Sequence, residues 1–207
     1  MSSNERDTRT KILEGALALL EAQPEKLPRM SDFAQKAGIS RQAVYLHFDN
    51  RLDLLVAATK LQDQQNDIDQ RLAPSRSAPN GPARLDAFVT AWASYIPIIY
   101  PVARALIAIS DTDADAREAW DERMRDMREG CAAAVDALAR DKILPPTIDT
   151  KQATDLLWTL LSVRNWEQLT QGCGWPQDCY LETVRSLALA TLAGQPERLQ
   201  DILKPPA

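Results

Sequence analysis

Apolar residues recur along most of the chain at the three- and four-residue spacing of amphipathic helices, and the alternating pattern of strands is almost absent. The first helix is predicted over residues 7–22, before Pro24 and Pro28, because a proline cannot continue a helix. Its apolar stripe consists of Ile12, Leu13, Ala16, Leu19 and Leu20. The pattern predicts an all-α fold of about nine helices.

Two short helices are predicted next, over residues 30–37 and about 41–48. Gly38 lies between them and can adopt the left-handed conformation that stops a helix abruptly. Ser40 is a good N-cap for the second of these helices, and Asn50 caps a fourth that is predicted to continue to about residue 72. Two short helices joined by a tight turn form the helix-turn-helix pattern, whose second helix enters the major groove of DNA.

The remainder of the chain reads as a larger helical region. The clearest linker is residues 73–82, which are rich in proline and serine. We assign residues 1–52 to a helix-turn-helix DNA-binding domain and residues 53–207 to a helical ligand-binding and dimerisation domain. Further helices are predicted over residues 83–96, 98–110, 113–141, 150–172 and 176–194.

Charge and cysteine content narrow the class of protein. The net charge is -5, yet residues 1–60 carry 9 basic and 8 acidic residues, so the N-terminal part is the better place for an anionic partner. A pI near 5.0 argues against a structural protein that coats DNA without sequence preference. Three sparse cysteines, a polar N-terminus and no apolar run of about 18–20 residues predict a soluble cytoplasmic protein with reduced thiols.

The predicted recognition helix carries side chains that suit DNA. Arginine can form two hydrogen bonds to guanine and glutamine can form two to adenine, whereas Tyr45 and His47 can reach phosphates. Alternatively, Arg41 and Gln42 are solvated residues at the start of a helix. Tyr45 would then pack inside the small domain and His47 would be exposed without a role. The candidate DNA-binding residues of this segment are Ser40, Arg41, Gln42, Ala43, Tyr45, His47 and Arg51.

These motifs resemble the DNA-binding signature of the TetR family of repressors over residues 8–57. The resemblance rests on the runs Phe33-Ala34, Ala37-Gly38-Ile39-Ser40, Tyr45-Leu46-His47-Phe48 and Leu54-Leu55. It implies a homodimer whose C-terminal helices pair as a four-helix bundle, and an inducer pocket in the C-terminal domain. Arg29 stands where the family often has a capping threonine, so we expect it to contact a phosphate; Arg51 keeps the charge of the family's usual lysine.

The C-terminal region offers candidate ligand-binding residues, although aromatic side chains are as common in cores as in pockets. Arg104 and Arg164 lie within or beside apolar helical faces, where an unpaired charge is costly. Each is expected either to form an internal ion pair, for example with Glu167 or Asp155, or to anchor an anionic inducer. The candidates are Trp92, Tyr95, Tyr100, Arg104, Trp120, Trp158 and Arg164.

The function expected from these features is that of a transcriptional repressor, bound as a dimer to a pseudo-palindromic operator and released by a small-molecule inducer, hydrophobic or aromatic in character. A ligand-responsive activator and an enzyme built on a helical bundle are the alternatives. No combination of nucleophile and base and no phosphate-binding loop is visible, so no enzyme is expected. No cofactor or metal is expected either, because Cys173 and Cys179 lack the spacing of a redox or zinc motif and residues 111–115 lack that of a calcium loop.

Overall fold

The structure is a computed structural model that describes residues 3–24 and 26–198. These residues form ten α-helices and no strand, which confirms the all-α prediction. The helices are α1 (Ser3–Ala22), α2 (Met30–Ala37), α3 (Arg41–Tyr45), α4 (Arg51–Gln65), α5 (Ile68–Arg76), α6 (Gly81–Ser110), α7 (Ala114–Arg140), α8 (Thr150–Leu160), α9 (Val163–Glu167) and α10 (Gln177–Leu192). A π-helical turn, Gln168–Gly172, follows α9, and a 3₁₀ turn, Pro196–Arg198, follows α10.

The described residues divide into two packing units. The first unit contains the chain up to residue 67 together with residues 98–123, and the second contains residues 68–97 and the chain from residue 124. The core of the first unit is formed by the apolar stripes of α1 to α4 together with the last turns of α6 and the start of α7. Its buried side chains include Ile12, Leu13, Ala16, Leu20, Phe33, Val44, Phe48, Leu54, Leu55, Val102, Leu106 and Ile109.

Polar contacts within the first unit fix α4 against the C-terminal part of α6 and the start of α7. The Arg123 guanidinium donates to both carboxylate oxygens of Asp63, at 2.9 and 3.2 Å. The Gln62 amide donates to the carbonyl oxygen of Ile98 at 2.6 Å. Two-point ion pairs of arginine and carboxylate are geometrically specific, so these contacts set the position of α4 in this unit.

The sequence predicted a break at Pro97, but α6 runs without interruption from Gly81 to Ser110. Proline has no N–H to donate to the carbonyl of Ala93, four residues earlier, and normally breaks or kinks a helix for this reason. Here the Gln177 side-chain amide donates to the Ala93 oxygen at 3.1 Å, while its own oxygen accepts from Trp166 Nε1 at 2.7 Å. A residue on α10 therefore supplies the hydrogen bond that Pro97 cannot make.

Two other predicted helices are shorter than expected. The helix predicted to reach residue 72 ends at Gln65, where the Asn66 side chain donates to the Gln62 carbonyl oxygen at 2.9 Å and Asp67 adopts φ 47°. The next helix, α5, then occupies part of the predicted linker. The helix predicted over 150–172 is divided because Ser162 accepts from the N–H of Asn165 at 3.1 Å and starts a new helix.

The second unit is held by close helix packing and ion pairs. The N–H of Gly81 donates to the Asp141 carboxylate at 2.5 Å, and Arg185 binds both oxygens of Asp86.

Although the most apolar stretch of α6 is long enough to cross a membrane, 56% of it is buried inside the fold, as in the core helix of a globular protein.

Candidate DNA-binding site

The turn between α2 and α3 has the geometry that the sequence predicted. Gly38 adopts φ 69° and its N–H bonds to the carbonyl of Gln35 at 3.2 Å, while the N–H of Ile39 bonds to the carbonyl of Ala34 at 3.0 Å. This pair of bonds satisfies the last carbonyls of α2 in a Schellman motif. A side chain at position 38 would be strained in this left-handed conformation, so glycine sets the sharp change of direction.

Helix α3 is capped at its start and anchored on one face. The Ser40 hydroxyl oxygen accepts from the N–H of Ala43 at 3.1 Å. Val44 and Phe48 are buried in the core, and the Arg9 guanidinium lies 4.7 Å from the centre of the Phe48 ring. The helix ends at Tyr45, earlier than predicted, and a turn leads to α4, whose first N–H groups are capped by Asn50. The opposite face of α3 is open.

A cleft of about 480 Å³ lies beside this open face. It brings together four of the predicted DNA-binding residues, which come from the residue before α2, from both ends of α3 and from the start of α4. Its lining residues are Arg29, Met30, Ser31, Arg41, Tyr45, Asp49, Asn50 and Arg51.

The cleft is electropositive, because its lining contains three arginines and one carboxylate, that of Asp49. Arg41 donates through Nη2 to the Tyr45 hydroxyl at 3.3 Å, and its guanidinium lies 5.5 Å from the ring centre. The hydrogen bond from Arg41 to Tyr45 raises the pKa of the arginine, so its charge is retained. Guanidinium groups clustered at helix starts bind phosphate oxygens, which suits this cleft to an anionic backbone.

Arg29 precedes α2 and does not cap it with its side chain. Instead, its backbone N–H donates to the Asp32 carboxylate at 2.7 Å. This is one of the two hydrogen bonds of a capping box, the one from the N-cap backbone to the side chain three residues later. The Arg29 side chain is exposed and lines the cleft. The expectation that Arg29 contacts a phosphate stays a prediction.

The other predicted DNA-binding residues lie outside the cleft lining. Gln42 is exposed on α3, Ser40 serves as its cap, and Ala43 and His47 are half-buried. The cleft also contains four residues that the sequence did not assign to the site, Met30, Ser31, Asp49 and Asn50, and Leu46, on the same helix end, is 85% exposed outside the lining. The sequence indicated this exposure, because residues two positions apart lie on nearly opposite faces of a helix and Val44 belongs to the apolar face.

The predicted ligand-binding residues are divided between the two packing units. Tyr100, Arg104 and Trp120 belong to the first unit, where the Arg104 guanidinium donates to the carbonyl oxygen of Pro24. Trp120 packs half-buried against the core of that unit.

The other four candidates, Trp92, Tyr95, Trp158 and Arg164, belong to the second unit. Trp92 meets Tyr95 edge-to-face at 6.1 Å between ring centres. Among the described residues, the buried indole N–H groups of Trp92 and Trp158 have no hydrogen-bond partner.

Arg164, also in the second unit, is exposed on α9. The carboxylate of Asp155, one of its suggested partners, pairs with Arg128 and Lys151 instead. The hydrogen bond from Arg128 lowers the pKa of this carboxyl group, and the charge of Lys151 adds to the effect.

A capped helix α3, a glycine turn before it and an arginine-lined cleft at its open side are the features of a helix-turn-helix motif. Residues 12–58 match the model of the bacterial regulatory proteins of the tetR family. An uncharacterised HTH-type transcriptional regulator of Pseudomonas putida, TtgW, is 33% identical over 64 residues, which are 31% of this chain and 48% of that protein. The chain thus matches about half the length of this curated relative.

Solved structures share the fold over most of the chain. A transcriptional regulator from Saccharomonospora viridis, solved in complex with choline, has a TM-score of 0.75 at 17% identity and covers 90% of this chain and 98% of that one. The regulator FadR of Bacillus subtilis, solved with stearoyl-CoA, has a TM-score of 0.71 at 13% identity, with coverages of 88% and 98%. Residues 12–58 are therefore similar to the tetR family, and the chain as a whole shares the fold of these solved regulators.

Proposed function

We propose that this protein is a ligand-responsive transcriptional repressor of the cytoplasm, which binds a pseudo-palindromic operator as a homodimer and leaves it when a small molecule binds. Residues 1–52 would form the DNA-binding domain and residues 53–207 the ligand-binding and dimerisation domain. The observation that carries the proposal is the cleft of three arginines beside the open face of α3.

In this function, the cleft residues position the protein and α3 reads the bases. Arg29 and Arg51 bind phosphates on either side of the groove, while Arg41, held by Tyr45, contacts either a phosphate or a guanine edge. Gln42 is exposed and reads an adenine. The remaining predicted residues, Ser40, Ala43 and His47, support α3 or approach the backbone.

Dimer formation is proposed through α8 and α10. Leu156 on α8 is 43% exposed, although its neighbour Leu157 is fully buried. A leucine at the surface of a helix is stabilised when a second copy covers it, and a two-fold interface places the same patch on both subunits. The dimer would set two α3 helices about one turn of DNA apart.

The proposed inducer binds in the second packing unit. Both solved relatives described above were crystallised with small molecules, a quaternary amine in one and an acyl thioester in the other. In this chain, the indole N–H groups of Trp92 and Trp158 are buried and unpaired within the described residues, which is costly unless an acceptor arrives. A ligand with an apolar body and oxygen acceptors would meet this need.

The test begins with selection of a bound sequence from random duplex DNA, followed by affinity measurements over a range of salt concentrations. Each phosphate contact that is lost should reduce the slope of log K against log salt by about 0.9. Arg29→Ala and Arg51→Ala should each lower this slope without changing the preferred sequence. Arg140→Ala, an exposed arginine of the second unit, is the control and should leave the slope unchanged.

The regulatory part is tested on the same complex. Light scattering should give a dimer mass, and Leu156→Glu should convert it to a monomer. A panel of acyl thioesters and quaternary amines should contain a compound that releases the DNA. Trp92→Phe and Trp158→Phe, which remove the N–H donor and shorten the ring, should weaken binding of that compound more than Trp175→Phe does. A monomeric wild type, or no releasing compound, would contradict the corresponding part of the proposal.

A further inference from the structure

Leu46 is the most exposed of the large apolar side chains in the part of the chain that the structure describes. It is 85% exposed, against 43% for Leu156, 40% for Tyr45 and 39% for Ile143. The apolar residues on either side of it in sequence, Val44 and Phe48, are buried at 0% and 3%. Packing of the first unit therefore does not require leucine at position 46.

The backbone places Leu46 on the open face of the recognition helix. Its φ of -72° and ψ of -17° continue the helical turn of α3 by one residue. Leu46 comes two residues after the buried Val44, which is about 200° around the helix, so the two side chains point in nearly opposite directions. Gln42, four residues before Leu46, is also exposed and shares its face. A polar and an apolar side chain thus stand together where α3 meets its target.

We propose that Leu46 is a specificity-determining residue that contacts the 5-methyl group of a thymine in the major groove. This inference rests on the proposed function, since it requires α3 to enter the groove. Thymine is the base that presents an apolar group there, and leucine has no polar atom with which to read any other base edge. Gln42 on the same face would then read a base next to that thymine.

The arrangement also explains why the exposed leucine lies beside a cationic cleft. Arg29, Arg41 and Arg51 favour a polyanion over an apolar protein surface at this place. Within DNA, apolar groups are accessible to a helix mainly as thymine methyls. The charge of the cleft and the exposure of Leu46 therefore select the same target by independent contacts.

The experiment replaces thymine by uracil, one position at a time, in the duplex selected by the wild-type protein. This change removes only the methyl group and keeps base pairing. At one thymine of each half-site the wild type should lose about fourfold in affinity, the effect of about 0.8 kcal/mol for one buried carbon. Leu46→Ala should bind the thymine duplex more weakly and should no longer distinguish thymine from uracil at that position.

Controls separate this contact from general effects. Ile143→Ala changes an exposed apolar residue of the second unit that has no proposed role, and it should keep the full thymine-to-uracil effect. Circular dichroism should show that Leu46→Ala keeps its helix content, because the side chain is outside the core. A thymine-to-uracil effect of equal size in wild type and Leu46→Ala would overturn the proposal, as would a selected sequence with no methyl-sensitive thymine. Failure to select any sequence would overturn the proposed function itself.

Discussion

Replacing Gln177 by alanine removes a side chain that serves two buried groups of the second unit at once. Its amide nitrogen donates to the Ala93 carbonyl at 3.1 Å and its oxygen accepts from Trp166 Nε1 at 2.7 Å. The orientation of the amide follows from its partners, because a carbonyl only accepts and an indole N–H only donates. Ala93 is fully buried and Trp166 is 6% exposed, so both groups would lose a partner away from bulk water.

The expected cost follows from these two groups. A buried polar group left without a partner costs about 1–3 kcal/mol, so Gln177→Ala should lower the free energy of unfolding by about 2–6 kcal/mol. Gln177 itself is half-buried, which lets water approach the vacated site and favours the lower end of this range. Gln171→Ala, an exposed glutamine of the same unit, is the control and should change stability by less than about 0.5 kcal/mol.

A second background makes the reasoning sharper. Pro97→Ala restores an N–H four residues after Ala93, which can then satisfy that carbonyl within α6. In the Pro97→Ala background, Gln177→Ala should remove only the hydrogen bond from Trp166 Nε1 without a replacement and should cost about half as much. The four proteins form a double-mutant cycle with an expected coupling energy of about 1–3 kcal/mol.

The assay is urea-induced unfolding followed by circular dichroism, at one protein concentration because association would shift the apparent stability. Equal costs of Gln177→Ala in the two backgrounds, within about 0.5 kcal/mol, would refute the claim that Gln177 replaces the missing proline N–H. A cost no larger than that of Gln171→Ala would refute the role of both hydrogen bonds.

Two further outcomes are expected. Gly81→Ala should lower the free energy of unfolding by about 1–3 kcal/mol, because a Cβ there would lie 2.8 Å from the Leu138 backbone. Gly172→Ala is the matched control and should be close to neutral, because a Cβ at that position would meet nothing within 4 Å. Equal melting temperatures of the two variants would contradict the steric argument. Burial raises the pKa of the Cys131 thiol to about 12, so this thiol should react slowly at pH 8. A thiol reagent at that pH should modify the two exposed cysteines of the native protein and all three in urea. Rapid modification of all three without urea would show that Cys131 is accessible.

The helix-turn-helix could be predicted from the sequence because its determinants are local. Gly38, Ser40 and Asn50 act on N–H and carbonyl groups within five residues of themselves, and the structure places each in the predicted role. The alternation of buried and exposed positions on α1 to α4 likewise follows from a helical period that can be read along the chain. The convergence of arginines at the cleft was only partly visible, since their shared location depends on how three helices pack.

Tertiary contacts decided what local signals could not. Pro97 is a valid signal for the end of a helix, yet α6 continues because Gln177, 84 residues away from Ala93 in sequence, supplies a hydrogen bond to that carbonyl. Arg104 donates to a backbone carbonyl 80 residues earlier, a contact that no local signal predicts. The sequence alone determined the helical class, the caps at Ser40 and Asn50 and the buried faces of the N-terminal helices, because these depend on neighbours within a turn or two. The fold decided which distant groups meet, because burial and long-range hydrogen bonds form only when the helices are packed.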